Sequence, residues 1–285
     1  MQEKRVLVTG KNGDLSKAIA KWLNDRGYIA ENISLRGDEW KTNVFGQYDA
    51  VVHVAGIVPK EGVASEDFYR INAQLTKDFA EKAKKEGVRH FIYISSMAVY
   101  GKEQTMDSNM GMVSADTPCA PLSDYGKSKL QAEEYLKGLE DDRFIVARVR
   151  VPSIYGKGKI EYLEQYRHLN EKFKRIPVAF VENYKSIIYL DNLCEFIYLV
   201  LKNEGRGVFC PDDGKYSAVD ICQAISSSCK KSKFLGFLFK SFLRKSDRIR
   251  DYYGAIYYDD ALTNIFEGKY RLVTLQEAIH IAYER

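Results

Sequence analysis

The chain opens with a short apolar run that leads through a glycine-containing turn into an amphipathic segment. Residues 6–8 are Val-Leu-Val, Gly10 and Gly13 follow in the turn, and apolar residues recur between positions 18 and 23. An apolar run of this length predicts a buried parallel strand, and the pattern after it predicts a helix that packs on the strand. This strand–turn–helix order constrains the fold strongly, because it is typical of an α/β sheet.

The two glycines lie where a phosphate group could approach the backbone. Gly10 suits the tight turn and Gly13 the close approach, because neither carries a Cβ atom. The N–H groups and the positive end of the following helix favour an anion there. The turn is therefore compatible with dinucleotide binding, although a glycine turn that binds no ligand is almost equally compatible with these residues.

Two further predicted strands end in small or hydroxyl-bearing residues. Residues 50–56 read Ala-Val-Val-His-Val-Ala-Gly, and residues 90–96 read His-Phe-Ile-Tyr-Ile-Ser-Ser. Ligands bind at the carboxyl ends of the strands in an open α/β sheet, so Ser96 is a candidate site residue. A helix cap or a turn is the competing interpretation of Ser95 and Ser96.

Tyr125 and Lys129 lie four residues apart in a helix predicted from about residue 123 to 137, with Ser123 as its N-cap. Residues at this spacing share one face of a helix. An ammonium group fixed beside the phenol would favour the phenolate and lower the pKa of Tyr125. The pair predicts an acid–base site that a strand-end hydroxyl at Ser96 could complete. For the pair alone, an exposed helix face that carries a Tyr is the competing interpretation.

Seven motifs and one single residue, in order along the chain, resemble the extended branch of the short-chain dehydrogenase/reductase superfamily, which comprises nucleotide-sugar epimerases, dehydratases and reductases. They are Thr-Gly-x-x-Gly at 9–13, His-Val-Ala-Gly at 53–56, Asn72, Ser-Ser-Met-Ala-Val-Tyr-Gly at 95–101, Tyr-x-x-x-Lys at 125–129 followed by Glu133, Arg-Val-Pro-Ser-Ile-Tyr-Gly at 150–156, Ile-Tyr-Leu-Asp-Asn at 188–192 and Thr-Leu-Gln-Glu-Ala at 274–278.

The resemblance implies an α/β fold: a Rossmann-like, doubly wound parallel sheet with a smaller C-terminal α/β substrate lobe. The NAD(P)-binding domain is expected at residues 1–156, together with about 186–205. The substrate-binding lobe is expected at about 157–185 and 206–285. In relatives, the helices that correspond to those predicted near residues 68–83 and 123–137 often form a dimer interface, so a homodimer is expected.

The same resemblance implies roles for individual residues. Tyr125 would remove the proton from a sugar hydroxyl, Lys129 would hold the nicotinamide ribose, and Ser96 would hydrogen-bond the reacting oxygen. These groups stabilise charge that develops on that oxygen, while the cofactor carries out the redox step. Contacts to the substrate are expected from Ser96, Met97 and Ser153.

The expected cofactor is NAD, with NADP as the alternative. The resemblance assigns cofactor contacts to residues from every predicted turn of the first domain: Gly10, Asn12, Gly13, Asp14, Leu15, Arg36, Val54, Ala55, Gly56, Asn72, Tyr125, Lys129, Pro152 and Ser153.

Three departures from the family pattern concern this cofactor site. Ser16 replaces the third glycine of the turn. This departure concerns how tightly the helix packs on the sheet and not whether the cofactor binds. Arg36 stands where NAD-preferring relatives carry an acid, and an Arg there accommodates a 2′-phosphate. A different alignment would place Asp38 at that position instead. Only eleven residues separate Arg36 from Tyr48, so the adenine-side loop is short.

The resemblance also narrows the reaction. The 4,6-dehydratases carry an Asp-Glu pair where this chain has Met97 and Ala98, neither of which transfers protons, so a dehydratase is not expected. The pattern favours a 4-epimerase that acts on a UDP-(N-acetyl)hexose through a transient 4-keto intermediate. The tail near residues 253–254 and 259–260 is similar to epimerases of polysaccharide pathways that act on UDP-N-acetyl sugars.

Two other functions remain open. A 4-keto-sugar reductase needs the same Ser, Tyr and Lys, and Ser153 replaces an Asn that contacts substrate in many epimerases. A non-catalytic dinucleotide-binding regulator is the third interpretation, and it is disfavoured because the chain retains Ser96, Tyr125 and Lys129.

Composition limits the class of partner and compartment. The chain has 43 basic and 39 acidic residues, a net charge of +4 that predicts no nucleic-acid partner. An odd number of cysteines without a CxxC pair predicts reduced thiols in the cytoplasm and no metal site. The few polar residues ahead of the first strand predict no signal peptide, and no apolar run reaches membrane-spanning length.

The segment 230–250 combines eight basic residues with one acid, Asp247, and with several Phe and Leu residues. A basic amphipathic helix on an anionic membrane surface is one interpretation. A helix of the substrate lobe with its apolar face packed inward is the favoured one, so membrane contact is not expected.

Overall fold

A computed structural model of the protein describes residues 4–102, 105–106, 108–156, 161–172, 175–177, 182–226, 230–232 and 253–283. The chain divides into two compact units. The first comprises Met1–Val99, Cys119–Val151 and Leu193–Cys210. The second comprises Tyr100–Pro118, Pro152–Asn192 and Pro211–Arg285.

The strands are numbered in chain order through both units. They are β1 (Arg5–Thr9), β2 (Ile29–Ile33), β3 (Ala50–His53), β4 (His90–Ser96), β5 (Met112–Val113), β6 (Ile145–Val151), β7 (Ser153–Tyr155), β8 (Arg175–Pro177), β9 (Tyr184–Tyr189), β10 (Gly207–Phe209), β11 (Gly214–Ser217), β12 (Lys230–Ser232) and β13 (Tyr257–Tyr258).

The helices are numbered in the same way. They are α1 (Asp14–Asn24), α2 (Ser65–Phe68), α3 (Leu75–Lys85), α4 (Ser108–Gly111), α5 (Asp124–Leu139), α6 (Glu161–Lys172), α7 (Leu190–Lys202), α8 (Ala218–Ile225), α9 (Asp260–Thr263) and α10 (Leu275–Tyr283). A π-helical turn, Tyr69–Gln74, joins α2 to α3, and 3₁₀ turns occupy Glu39–Thr42, Met97–Tyr100 and Ile265–Gly268.

The central sheet of the first unit has six parallel strands in the order β10-β6-β4-β3-β1-β2. The predicted doubly wound parallel sheet is therefore confirmed. From β1 the chain runs outward to β2 and then returns to β3 on the other side of β1. The strand order thus reverses between β1 and β3, and ligands bind at the carboxyl edge of such a switch point.

Burial on both faces explains why the strands read as nearly continuous apolar runs. Val6 and Val8 of β1 and Val51 and Val52 of β3 are completely buried. Helices α1, α3 and α5 bury one stripe each, as their helical spacing predicts. The stripes include Ile19 and Leu23 of α1, Phe79 and Ala83 of α3, and Ala132 and Leu136 of α5.

The sheet ends at β2, because the chain between β2 and β3 forms only the 3₁₀ turn Glu39–Thr42. The usual Rossmann order has one more strand beyond this edge, and the short loop leaves no length for it. Trp40 and Phe45 fasten the segment to the core: they are 3% and 1% exposed, and their rings lie 5.5 and 5.1 Å from that of Phe79.

The second unit is a small α/β structure built on the sheet β11-β9-β7, in which β9 is parallel to β7 and antiparallel to β11. Asn192, from the motif at 188–192, donates hydrogen bonds to Asp213 and to the carbonyl oxygen of Val273, each at 2.8 Å. Tyr189 also donates its backbone N–H to the Asp213 carboxylate at 2.6 Å. The motif therefore has a structural role within this unit.

The basic segment begins with a strand and not with the predicted helix, since Lys230–Ser232 pairs in parallel with β8. Residues 233–250 lie outside the described residues, so neither interpretation of that segment is tested. Within the described ranges, no helix has both the length and the apolar character that crossing a bilayer requires.

Candidate active site

A cleft of about 740 Å³ lies at the switch point of the first unit. This volume is typical of small-molecule sites. It is lined by the turn after β1, the segment after β2, the residues after β3 and one face of the helix that contains the π turn. Seven of the predicted cofactor residues line it together: Gly10, Asn12, Gly13, Arg36, Val54, Ala55 and Gly56.

The glycine turn is held by backbone and side-chain hydrogen bonds. Gly10 has a φ of +95°, which favours glycine, and its N–H and that of Lys11 donate to the carbonyl oxygen of Ile33 at 2.9 and 3.0 Å. The buried hydroxyl of Ser16 donates to the carbonyl oxygens of Gly10 and Gly13. Ser16 therefore fastens the turn at the position where relatives carry a third glycine.

The turn offers backbone donors to an anion, and its glycines pack closely against neighbouring protein atoms. A Cβ atom on Gly13 would lie 3.3 Å from the Ser16 hydroxyl oxygen, so a larger residue would crowd the turn. Asp14 and Leu15 form the first turn of α1, where the backbone N–H groups have no acceptor within the helix. Neither residue lines the cleft itself.

Below the cleft, a buried network centred on His53 fixes the end of β3. The Thr9 hydroxyl oxygen accepts hydrogen bonds from the N–H groups of Val54 and Ala55 at 3.0 and 2.9 Å. It also lies 3.2 Å from His53 Nδ1, while His53 Nε2 lies 3.0 Å from the Thr76 hydroxyl. Burial lowers the pKa of His53 to about 3, so this His is a neutral structural residue.

Asn72, Gly56 and Lys129 converge beside the cleft. The Asn72 amide accepts from the N–H of Ile57 at 2.8 Å and donates to the Ile57 carbonyl at 3.0 Å and to the Ser128 hydroxyl at 3.2 Å. A Cβ atom on Gly56 would lie 2.9 Å from Asn72 Oδ1 and 3.5 Å from Lys129 Nζ. Asn72 lies in the π turn, a deviation from α-helix that is frequent at functional sites.

Ser96 ends β4, and its hydroxyl lies close enough to the Tyr125 phenol to act on the pKa of that phenol. Ser123 caps α5 by accepting from the N–H of Gly126 at 3.1 Å, which confirms the predicted cap and places Tyr125 in the first turn. Burial raises the pKa of Tyr125, and the nearby Ser96 hydroxyl acts in the opposite direction. The expected lowering of this pKa is therefore not found.

The orientation of Lys129 explains that difference. Its side chain is 6% exposed, and Nζ donates to the carbonyl oxygen of Ile94 at 2.9 Å and lies 4.9 Å from the centre of the Tyr93 ring. Burial lowers the pKa of Lys129 to about 8. The ammonium is thus bound to β4, and burial outweighs any effect of its charge on the phenol of Tyr125.

The comparisons with known proteins agree with this geometry. A sequence profile of the NAD dependent epimerase/dehydratase family matches residues 6–209, well over half of the chain. The chain belongs to this enzyme family. The family resemblance stated from the motifs is confirmed.

Two relatives within the family are 4-epimerases. N-acetyl-alpha-D-glucosaminyl-diphospho-ditrans,octacis-undecaprenol 4-epimerase of Escherichia coli O157:H7 is 32% identical over 169 residues, covering 56% of this chain and 47% of that protein. UDP-glucose 4-epimerase of Vibrio cholerae is 29% identical over 154 residues, covering 52% and 45%. The chain spans about half the length of the curated relatives it matches.

Solved structures of similar fold cover the whole chain. MoeE5 in complex with UDP-glucose and NAD has a TM-score of 0.71 at 19% identity, covering 98% of this chain and 97% of that one. The dTDP-4-dehydrorhamnose reductase from Bacillus anthracis str. Ames, in complex with NADP, has a TM-score of 0.69 at 19% identity, with 99% of each chain covered. At this identity, the likeness supports the family fold alone.

The roles of all the predicted site residues remain predictions, including those of Pro152, Ser153 and Met97. Pro152 is buried and Ser153 is exposed at the start of β7, and both belong to the second unit. Met97 follows Ser96 in a 3₁₀ turn and is 5% exposed. In the described part of the chain, no group of three or more His, Cys, Asp and Glu side chains is arranged to bind a metal.

Sequence reasoning missed the helix face that borders the cleft. Arg70, Gln74 and Asp78 line it, and Gln74 donates to the Asp78 carboxylate at 2.7 Å. Their recurrence at every fourth position, next to Asn72, was a signal that could have identified them.

A buried ion pair behind the site was also missed. Arg150 binds the Glu133 carboxylate through Nε, 3.1 Å from each oxygen, and through a second nitrogen at 2.6 Å. Ser95, next to Ser96, donates to the same carboxylate at 2.5 Å. Glu133 lies one helical turn beyond Lys129, so the pair joins α5, β4 and β6 directly behind the predicted catalytic residues.

Proposed function

We propose that this chain is an NAD(P)-dependent nucleotide-sugar 4-epimerase that inverts C4 of a UDP-(N-acetyl)hexose through a transient 4-keto intermediate. The observation that carries the proposal is the placement of Ser96, the last residue of β4, beside Tyr125 in the first turn of α5 at the carboxyl edge of the parallel sheet. Lys129 lies one turn further along the same helix. The names of the 4-epimerase relatives support the reaction and the class of substrate.

The residues around the cleft fit a dinucleotide. Gly10 and Gly13 line the cleft, and the first turn of α1 offers N–H donors for the pyrophosphate. The buried network through Thr9 holds the Val54–Ala55 backbone rigid at the opposite wall. A dinucleotide bound there would supply reversible hydride transfer with C4 of the sugar.

Ser96, Tyr125 and Lys129 supply the proton chemistry and the positioning. Tyr125 removes the proton from the C4 hydroxyl and later returns it. Ser96 donates a hydrogen bond that favours the phenolate and then stabilises negative charge on the sugar oxygen. Lys129 is largely protonated at neutral pH, since its pKa is about 8, and provides donors for the hydroxyls of the nicotinamide ribose.

A 4-keto-sugar reductase is the second candidate function. It would use the same Ser, Tyr and Lys, and one observation favours it: Arg36 lines the cleft where NAD-using relatives carry an acid. A reductase must exchange its cofactor, whereas an epimerase retains it. Mass spectrometry of cofactor that co-purifies with the protein distinguishes the two, because tightly held dinucleotide favours the epimerase.

The finer assignments belong to the same proposal. We place the dinucleotide in the first unit and assign the sugar to the second, where Ser153 stands at the start of β7. A homodimer and a cytoplasmic location are proposed as in the family. Light scattering coupled to size exclusion tests the dimer, and fractionation of the cells that express the protein tests the location.

The experiment that tests the function is a C4-inversion assay with UDP-glucose and UDP-N-acetylglucosamine, followed by proton NMR. Tyr125→Phe should lower turnover by at least about a hundredfold, the scale of general acid–base catalysis, and leave dinucleotide affinity within about threefold. Tyr135→Phe is the matched control, because this Tyr lies on the same helix and its hydroxyl accepts a hydrogen bond from Gln131. Wild-type turnover in Tyr125→Phe would overturn the mechanism.

A further inference from the structure

Four residues form a basic corner of the cleft beside the end of β2. We define this corner as Lys11, Ser34, Arg36 and Lys41, all of which line the cleft. The N–H groups of Gly10 and Lys11 donate to the carbonyl oxygen of Ile33, the last residue of β2. The glycine turn and the segment after β2 are therefore joined at the point where Ser34 begins.

Arg36 and Lys11 have no acidic partner in the described part of the chain. The Ser34 hydroxyl accepts the backbone N–H of Arg36 at 3.2 Å, so the two residues share one tight turn. Both Arg36 and Lys11 are exposed, and none of the ion pairs found among the described residues includes either of them. Their charges are available to a ligand.

The two acids that line the cleft each have a side-chain partner. Asp38 pairs with Lys41 at 2.6 Å, and Asp78 accepts a hydrogen bond from Gln74 at 2.7 Å. The corner therefore keeps two uncompensated cations and the Ser34 hydroxyl. A ribose 2′-hydroxyl needs an acceptor such as a carboxylate, whereas a phosphate monoester needs cations and N–H or O–H donors.

The segment that carries the corner is held in place. Trp40 and Phe45 are buried against Phe79, which fixes the chain on both sides of Lys41. A binding site that is rigid before the ligand arrives loses less entropy on binding. The corner thus has the charge and the rigidity of an anion site.

We propose that this corner binds a phosphate monoester on the adenosine ribose, so that the chain selects NADP(H) over NAD(H), with Arg36 and Lys11 as the specificity-determining residues. The proposal rests on the proposed function for the presence of a dinucleotide. It concerns a binding preference and does not depend on which reaction follows. It departs from the NAD of the family description.

The test measures how much the 2′-phosphate contributes to binding, without any reaction taking place. Wild-type protein is titrated calorimetrically with adenosine 2′,5′-bisphosphate and with adenosine 5′-monophosphate, and then with NADPH and NADH. A charge-assisted bond to the phosphate should make each phosphorylated ligand at least about tenfold tighter than its partner. Because the corner is exposed, the preference should shrink as salt rises from about 0.05 to about 0.5 M.

Variants assign the preference to named residues. Arg36→Ala should reduce it by about tenfold or more and leave NADH affinity within about twofold, while Lys11→Ala should reduce it by a smaller factor. Arg36→Asp should reverse it. Lys17→Ala is the matched control, because Lys17 is exposed on α1 and does not line the cleft, and it should keep the wild-type preference.

Each outcome decides the proposal. Equal or tighter binding of NADH by the wild-type protein overturns it and leaves the proposed function intact. An NADPH preference that survives both Arg36→Ala and Lys11→Ala overturns the assignment to this corner. Binding of neither dinucleotide overturns this proposal and the proposed function together.

Discussion

The ammonium nitrogen of Lys129 donates a hydrogen bond to the carbonyl oxygen of Ile94 at 2.9 Å. Ile94 precedes Ser96 by two residues on β4, and Lys129 follows Tyr125 by one turn on α5. The contact therefore joins the helix to the strand at the level of the Ser96–Tyr125 pair. Any change that displaces Lys129 should disturb the geometry of both residues.

Gly56→Ala should displace Asn72, which lies beside that lysine, and destabilise the fold. The new Cβ atom would lie 2.9 Å from Asn72 Oδ1, which is held by the N–H of Ile57, and 3.5 Å from Lys129 Nζ. Overpacking of this kind costs about 1–3 kcal/mol, and urea unfolding would measure it. Turnover should fall as well, because Asn72 binds the hydroxyl of Ser128, the residue that precedes Lys129 on α5.

The control for that variant is Gly138→Ala. Gly138 lies in α5, and a Cβ atom added there would meet nothing within 4 Å, so alanine should stabilise the helix by up to about 1 kcal/mol. Unchanged stability in Gly56→Ala would mean that Asn72 relaxes freely and would contradict the tight packing around Gly56.

Ser16→Gly should destabilise the protein although it restores the glycine that relatives carry. The substitution removes the hydroxyl that binds the carbonyl oxygens of Gly10 and Gly13, at a cost of about 1 kcal/mol, and places glycine inside a helix at a similar further cost. Ser16→Ala separates the two effects, because it removes only the hydroxyl. Chemical unfolding of both variants tests this, and a stabilised Ser16→Gly would refute it.

The Glu133–Arg150 pair should show strong coupling. Glu133→Gln leaves the Arg150 charge buried without its carboxylate and should cost about 3 kcal/mol or more. The double variant Glu133→Leu/Arg150→Met should recover a large part of that loss, since no unpaired charge remains. Urea unfolding of Glu133→Leu, of Arg150→Met and of the double variant gives the coupling, and simple additivity would count against a buried pair.

An exposed pair supplies the comparison for that cycle. Lys21, in the last turn of α1, forms an ion pair with the C-cap residue Asp25, and the two side chains are 76% and 54% exposed. Solvent screens such a pair, so Asp25→Asn should change the free energy of unfolding by less than about 1 kcal/mol.

His53 should make the fold sensitive to acid. Burial lowers its pKa from the ordinary value of 6.5 to about 3 in the folded protein. As pH falls below 6.5, the unfolded chain binds a proton that the folded protein does not, so stability falls until the pH reaches about 3. Between pH 7.5 and pH 5 the loss due to this residue should be about 2 kcal/mol.

His53→Asn tests this pH dependence. The variant should be less stable than the wild type at neutral pH, because the network is disturbed, yet should lose about 2 kcal/mol less on going to pH 5. His168→Asn is the control, since this His is exposed on α6 and its replacement should leave the acid sensitivity in place. An unchanged pH dependence in His53→Asn would show that His53 is not a buried neutral residue.

Local sequence patterns were sufficient to predict the strands and helices, and to predict which edge of the sheet carries the site. The apolar runs at residues 6–8 and 50–53 became buried parallel strands, and Ser123 became the cap of the helix that carries Tyr125. These predictions hold because strand burial, helical spacing and N-capping depend on residues close together in the chain. The same holds for Gly10, whose positive φ requires glycine.

Tertiary structure decided the pKa values of the site residues and their hydrogen bonds to residues distant in the chain. Sequence spacing predicted a Tyr125 pKa lowered by Lys129, but burial raises that pKa and Lys129 binds Ile94 on another strand. Ser16 binds two carbonyl oxygens where only a missing glycine was visible. Desolvation and such contacts depend on which distant segments pack around a side chain, and spacing along one helix or turn carries no information about them.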